Sequence, residues 1–323
     1  MKIKLALLAL ATLAATTATT LVHAQSYPSR PIRLIVPYAP AGSADIVARR
    51  IADEWAKAVG GNFYIENKAG AGGNIGVDAV AKAAPDGYTI GLQTVSLAIN
   101  PSLFAKMPYD TLKDLAPIGL VASSQHVLVV NPAFPGKDTK EVLAALKAKP
   151  GFYSYGSAGP GSTFHMSAEL FKDVTGADIQ HIPYKGGGPA LVDTMAGVVS
   201  MSFPVLSAVV PHVNSGKLRA IGVTGPKRSP LLPNVPTLQE SGVPGYKFET
   251  WFIVFAPANT PQPIIDKLNG ALNKALNSPQ LKDKLVKDGF DPIPSTPAQA
   301  QARLTQELAS WSKLIKVRGI TAE

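Results

Sequence analysis

Tyr153-Ser-Tyr-Gly-Ser-Ala-Gly-Pro-Gly-Ser-Thr-Phe-His165 holds the local pattern that recurs along the chain. Phe152 to Tyr155 is aromatic and β-prone and reads as a short strand. Gly156 to Gly161 carries too much glycine and proline to continue it. Ser162 or Thr163 then opens a helix in which Met166, Leu170 and Phe171 recur at helical spacing. A strand, a glycine-rich turn and a helix N-terminus in succession make an anion site. Unpaired N–H groups and the positive end of the helix dipole converge there. The same sequence also suits a plain strand-to-helix turn, so this loop alone leaves both readings open.

Gly156 to Thr163 fits the spacing of the nucleotide loop G-x-x-x-x-G-K-[ST], except that Ser162 stands where the lysine belongs. That lysine neutralises the β- and γ-phosphates. Without it, neutral dipoles still cradle an anion, but a triphosphate is poorly neutralised. The loop therefore points to a carboxylate-sized ligand rather than to ATP.

Residues 1–24 combine a basic start (Lys2, Lys4), an apolar run from Leu5 to Leu13 and a small-x-small end at Val22-His23-Ala24. This is the pattern of a secretory signal peptide, with cleavage expected before Gln25. Its apolar core is too short for a membrane anchor, and no later segment approaches 18 uninterrupted apolar residues. The chain has no cysteine, which excludes disulfides, thiolate metal sites and a lipid-anchored cysteine. The expected product is an exported, soluble protein with room for two domains. Its net charge of +9 falls to +7 when Lys2 and Lys4 leave with the signal. Lysine and arginine are scattered and aromatics sparse, so nucleic acid is not expected as a partner. A mildly positive surface steers anionic solutes instead.

The strand–loop–helix unit recurs. Arg33 to Tyr38 is an apolar run of the buried parallel type. It stops at Ala39-Pro-Ala-Gly-Ser-Ala-Asp45, and a helix follows with Ile46, Val47, Ile51, Ala52 and Trp55 inward. Ser43 reads as the N-cap. Asp45 falls in the first turn, where a negative charge suits the dipole; stabilising the helix start is its preferred role, since a bare carboxylate repels an acidic ligand. Phe63 to Asn67 is a strand before a glycine-rich loop and a helix from Val77 to Ala84. That loop nearly matches a dinucleotide fingerprint, but Ile75 occupies the third glycine position. Tyr88 to Thr94 is a third strand, and Thr94, Val95 and Ser96 follow its C-terminal end, where open α/β sheets bind ligands.

Ala116–Val121 and His126–Asn131 read as two strands with no room for a helix between them, which suits a crossing into a second domain. A helix over Lys137–Lys149 leads into the opening stretch. Strands at Ile179–Lys185, Val199–Phe203 and Leu218–Thr224 follow, with Gly186-Gly-Gly188 as a loop and Pro189 starting a helix. After a Pro/Gly-rich segment, Thr250–Ala256 is a strand. Three proline-headed helices close the chain at Pro263–Asn277, Pro279–Asp288 and Pro297–Arg318. The chain thus leaves one α/β domain (25–124), builds a second (125–224) and returns to the first (225–323). Two lobes joined by two strands form a clamp that closes on a ligand held between facing loops.

Several motifs in fixed order carry a family resemblance over essentially the whole mature chain. They include Tyr27 to Pro37, Pro40 to Asp45, Glu66 to Gly76, Pro85-Asp-Gly-Tyr88, Ala98 to Pro101, Tyr155 to His165, Ile182 to Gly186, Gly216 to Ala220 and Leu232 to Thr237. These resemble the Bug-type solute-binding proteins of tripartite tricarboxylate transporters. The resemblance implies a two-lobed periplasmic binding protein of type II-like α/β architecture, with a two-strand hinge and an interdomain cleft. It implies no cofactor and no metal, and a monomer that delivers an organic carboxylate to membrane permease subunits. Carried over residue by residue, it assigns first-lobe contacts to Tyr38, Ala41, Gly42, Ser43 and Thr94 to Ser96, with Asp45 beside them. Second-lobe contacts fall on Ser157, Ala158, Gly159, Ser162, Thr163 and His165, with Tyr184 nearby.

Two departures bear on the ligand. Ala41 and Ser43 bracket Gly42 where the family often has consecutive glycines. Phe203-Pro204 stands where it commonly has Phe-Asp, which removes a partner for a ligand ammonium. The expected ligand is a dicarboxylate or aromatic carboxylate without an amine. His165 either donates to the ligand or bonds its own loop; His181 and His212 read as structural. A serine hydrolase needs a G-x-S-x-G elbow, which Gly156-Ser157-Ala158-Gly159 lacks. Metal enzymes need clustered histidines, and the five here include no H-x-x-x-H pair. The chain is therefore read as a non-enzyme. An envelope sensor presenting bound carboxylate to a membrane kinase uses the same cleft and stands as the alternative.

Overall fold

The computed structural model describes residues 27–40 and 42–321; the expected signal segment and Ala41 lie outside the described residues. The first lobe starts with β1 (Ile32–Val36), α1 (Ser43–Val59), β2 (Phe63–Asn67), α2 (Asn74–Ala81), β3 (Thr89–Thr94) and α3 (Ser96–Leu103). Strand β4 (Leu115–Gln125) then runs to the lobe junction. The second lobe holds β5 (Val127–Val130), α4 (Thr139–Ala148), β6 (Ser154–Ser157), α5 (Thr163–Thr175) and β7 (Gln180–Pro183). It continues with α6 (Gly187–Ala196), β8 (Met201–Ser202), α7 (Leu206–Asn214) and β9 (Arg219–Val223). The chain returns to the first lobe as β10 (Glu249–Pro257), α8 (Gln262–Leu276), α9 (Pro279–Lys287), β11 (Asp291–Pro292) and α10 (Pro297–Arg318).

Each lobe is built on one sheet, ordered β2-β1-β3-β10-β4-β11 in the first and β7-β6-β8-β5-β9 in the second. β1 pairs in parallel with β2 and β3, and β6 with β7 and β8. The strands next to the crossings are antiparallel: β10 to both β3 and β4, and β5 to both β8 and β9. Parallel strands followed by helices place strand C-terminal ends, loops and helix N-termini together on one rim of each sheet.

Apolar residues of β1 and the inner stripe of α1 explain the first layer. Ile32, Leu34 and Val36 are buried against Val47, Ile51 and Trp55. Full burial of a side chain of this size stabilises the fold by roughly 1.5–3 kcal/mol. Trp55 Nε1 also donates to Leu268 O at 3.0 Å, tying α1 to α8. A second core runs on through both lobes, from Val77 and Ile99 through Trp251, Trp311 and Phe248 to Met166 and Phe171. The C-terminal helix α10 thus packs on first-lobe α3 and second-lobe α5 alike.

Several local readings shift. The N-cap of α1 is Gly42, in extended conformation, whose carbonyl accepts from Ile46 N–H at 2.9 Å. Ser43 is therefore the first helical residue and not the cap, and its hydroxyl makes no capping bond. Helix α2 begins at Asn74 rather than Val77. The two strands expected around residue 121 become β4 and β5, because Ala122 to Gln125 are held in the sheet between β10 and β11. Helices α3 and α7 contain Pro101 and Pro211, which hid them from a propensity reading. Among the described residues no helix is long and apolar enough to cross a membrane.

Candidate functional site

In the first lobe, β3 ends in a hydroxyl cluster. Tyr38 Oη lies 3.0 Å from Thr94 Oγ1, which is 3.1 Å from Ser96 Oγ and accepts from Ser96 N–H. Gln93 Oε1 orders the group by accepting from Thr94 N–H at 2.7 Å. Burial raises the Tyr38 hydroxyl above its ordinary pKa against the pull of its bonds to Ser96, Thr94 and Gln93, so it stays a neutral donor. Asp45 faces inward: Oδ2 accepts from Arg49 Nε and Oδ1 from Asn67 Nδ2, both at 2.9 Å. Its carboxylate ties α1 to the end of β2.

In the second lobe, Ser157 closes β6 and Ser162 caps α5, accepting from His165 N–H. The loop between them is braced from within. Ser157 Oγ accepts from Gly159 N–H at 3.1 Å, Ser162 N–H donates to Gly159 O at 3.2 Å, and Gly161 N–H donates to His165 Nδ1 at 2.9 Å. His165 thus bonds its own loop through Nδ1. Ala158 is half-buried and offers backbone only. Thr163 and Phe164 sit in the first turn of α5, where amides have no intrahelical acceptor. The Tyr184 hydroxyl donates to Asp193 Oδ2 at 2.6 Å, within its own lobe. Ser157 is fully buried, with its Oγ 2.6 Å from His181 Nε2.

A cavity of about 790 Å³ lies between the lobes. Gly42, Ser43, Ile46 and Arg50 of the first lobe face Phe164, Gly187 and Val205 of the second across it. Four helix N-termini open there: Ser43 begins α1, Phe164 is second in α5, Gly187 begins α6 and Ser207 is second in α7. Their positive dipole ends favour an anion. Ile46, Phe164, Val210, Pro211 and Phe290 supply apolar wall. The acid on the wall, Asp288, is already paired with Arg50. Gly42 and Ser43 thus reach the cavity, whereas Thr94, Ser96, Ser157 and Ser162 lie off its wall. Sequence reasoning passed over Phe164 and Gly187. The Gly186-Gly187-Gly188 loop carried the same strand–glycine–helix signal as the other two and marked a third cup.

The lobes meet beside the cradle. A Cβ on Gly161 would sit 2.0 Å from Leu103 Cδ2, at the end of first-lobe helix α3. A further bridge joins α10 to α5: Arg318 Nε lies 3.3 Å from Glu169 Oε2. Glu169 also accepts from Lys172 at 2.6 Å and Tyr155 Oη at 2.7 Å. Burial alone would raise this carboxyl, but the bonds from Lys172 and Tyr155 outweigh it and hold the pKa below the ordinary value.

Residues 47–320 match the family model described as tripartite tricarboxylate transporter family receptor. Protein BugT of Bordetella pertussis is 40% identical over 300 residues, 92% of each chain. An R. palustris protein solved with adipate is 35% identical with a TM-score of 0.81, covering 91% of this chain and 99% of its own. MatC from Rhodopseudomonas palustris, solved with bound malate, is 32% identical with a TM-score of 0.77, covering 90% of this chain and 100% of its own. The two-lobed α/β architecture is that of periplasmic binding proteins. The chain belongs to the tripartite tricarboxylate transporter receptor family.

Proposed function

We propose that the protein captures a small carboxylate lacking an amino group, an aliphatic diacid of about adipate's size or an aromatic acid, and hands it to a tripartite permease from the periplasm. The observation that carries this reading is the interlobe cavity, where four helix N-termini and the Ser43 hydroxyl meet an apolar wall. The dipoles suit a carboxylate and the wall suits the body of the acid. The one wall acid, Asp288, is neutralised by Arg50, so a ligand ammonium finds no partner there. The adipate- and malate-bound relatives support a dicarboxylate. On this reading residues 27–124 with 225–321 form one moving body and 125–224 the other, and the monomer binds without turnover.

Calorimetry on the purified chain tests it with adipate, succinate, malate, benzoate, aspartate and glutamate. The expected result is saturable 1:1 binding of at least one amine-free acid, recovered unchanged. Preferential binding of aspartate or glutamate refutes the amine-free assignment.

A further inference from the structure

Two histidines lie face to face behind the second-lobe cradle. The rings of His165 and His181 are 4.0 Å apart and inclined by 7°. Tyr155 continues the stack, 4.9 Å from His181. His165 comes from α5 and His181 from β7, whose parallel register with β6 sets His181 opposite Tyr155. Each imidazole holds a different point of the loop: His165 Nδ1 takes Gly161 N–H at 2.9 Å, and His181 Nε2 meets Ser157 Oγ at 2.6 Å. Gly159 and Gly161 have φ of +112° and +70°. Glycine in that region leaves a loop conformationally free, so its course depends on the groups that anchor it.

We propose that His165 and His181 are paired positioning residues for the cradle, one setting Gly161 and the other Ser157, with their stack making the two settings interdependent. The inference rests on the reading of the α5 N-terminus, which this loop leads into, as part of the carboxylate site. It adds His181, a residue outside the expected ligand contacts, and gives His165 an indirect role.

The pairing requires a particular protonation state, because Nδ1 accepts from Gly161 only while it carries no hydrogen. The groups facing His165 are Glu169 and Lys172 on its own helix, His181 on β7 and Tyr155 on β6, with Arg318 of α10 beyond Glu169. Burial, then His181, bring the His165 imidazole down to about 4 against the opposing pull of Glu169. The His181 imidazole is lowered too, chiefly by burial. The acceptor state therefore holds through neutral pH, and the Gly161 bond is lost on acidification through about pH 4.

Crossed isosteres test the proposal. Asparagine places its amide where Nδ1 stands in histidine, and glutamine places its amide where Nε2 stands. Each single variant of the full chain is titrated with adipate, and Gly161 N–H exchange is followed without ligand. His165→Asn and His181→Gln should bind within about threefold of the parent, while His165→Gln and His181→Asn weaken binding by about tenfold, the scale of one lost hydrogen bond. Gly161 exchange should accelerate in His165→Gln and not in His165→Asn. Equal effects of the two amides at both positions overturn the proposal. If the parent binds no adipate, the ligand reading fails separately and the exchange rates still decide: a difference between Asn and Gln at 165 upholds the pair, equality overturns it.

Discussion

His126 Nε2 lies 2.8 Å from Thr250 Oγ1, and these residues stand on the two chain crossings between the lobes. The same imidazole reaches Phe203 O through Nδ1 at 2.8 Å. Thr224 Oγ1 accepts from His126 N–H, and its one hydroxyl hydrogen lies between the carbonyls of Phe248 at 2.7 Å and His126 at 3.0 Å. Both crossings are thus stitched together by one buried histidine and two threonines. These bonds hold the two crossings in register where the chain passes between the lobes.

Burial brings His126 down to about 4 from an ordinary 6.5. The unfolded chain keeps the ordinary value, so unfolding takes up a proton between these two limits. The stability His126 contributes is complete above pH 6.5 and is lost as pH falls through about 4. Within that window the loss is roughly 1.4 kcal/mol per pH unit. His126→Gln should be less stable at pH 7.5 and should show a shallower fall on acidification, as read by urea unfolding at a series of pH values. His165 titrates in the same window and keeps the slope above zero.

Gly161 packs against Leu103 where the lobes meet. Alanine there meets both a positive φ of +70° and Leu103 Cδ2 at 2.0 Å. Gly161→Ala should weaken carboxylate binding by about tenfold or more, by obstructing the approach of the lobes. Adding Leu103→Ala should restore part of the affinity, although that change alone costs about 2 kcal/mol or more of stability. Ser162→Ala should behave differently, costing about 1 kcal/mol of stability through the lost cap with only a small effect on binding.

Ser43 faces the cavity without capping its helix. Ser43→Ala should therefore leave the melting temperature unchanged while weakening binding by about 0.5–1.5 kcal/mol, the worth of one neutral hydrogen bond. Parallel calorimetry and thermal melts separate the two effects.

Glu169 is buried under three donors, whereas Arg318 is partly exposed. Glu169→Gln leaves Lys172 without its counter-charge in a buried setting and should cost about 3 kcal/mol. Arg318→Ala should cost less than about 1 kcal/mol. Urea unfolding of the two variants checks the order; a larger loss for Arg318→Ala contradicts it.

The strand–glycine–helix units were legible because each combines an apolar run, a breaker and a helical period within about 30 residues. The return of the chain to its first lobe was legible from the short gap around residue 122 and the closing helices. Other features depend on distant partners. Ala122-Ser-Ser-Gln125 is small and polar, yet it lies in β4 because β10 and β11 flank it. Asp291 and Pro292 form a strand only through Ser123 and Ala122. At the cavity, Gly42 and Ser43 could be read locally. The His165–His181 stack could not, because 16 residues and a strand register separate its members. His126 resembled any strand residue until its two ring partners, from opposite sides of the hinge, were brought to it.

A crystal structure grown with adipate should show the lobes closed on the acid, with at least one carboxylate oxygen within hydrogen-bond reach of Ser43 or the first-turn amides of α5. Adipate lodged instead in the 610 Å³ cavity between α10 and Gly245 to Glu249, with the interlobe cavity empty, would contradict this binding mode.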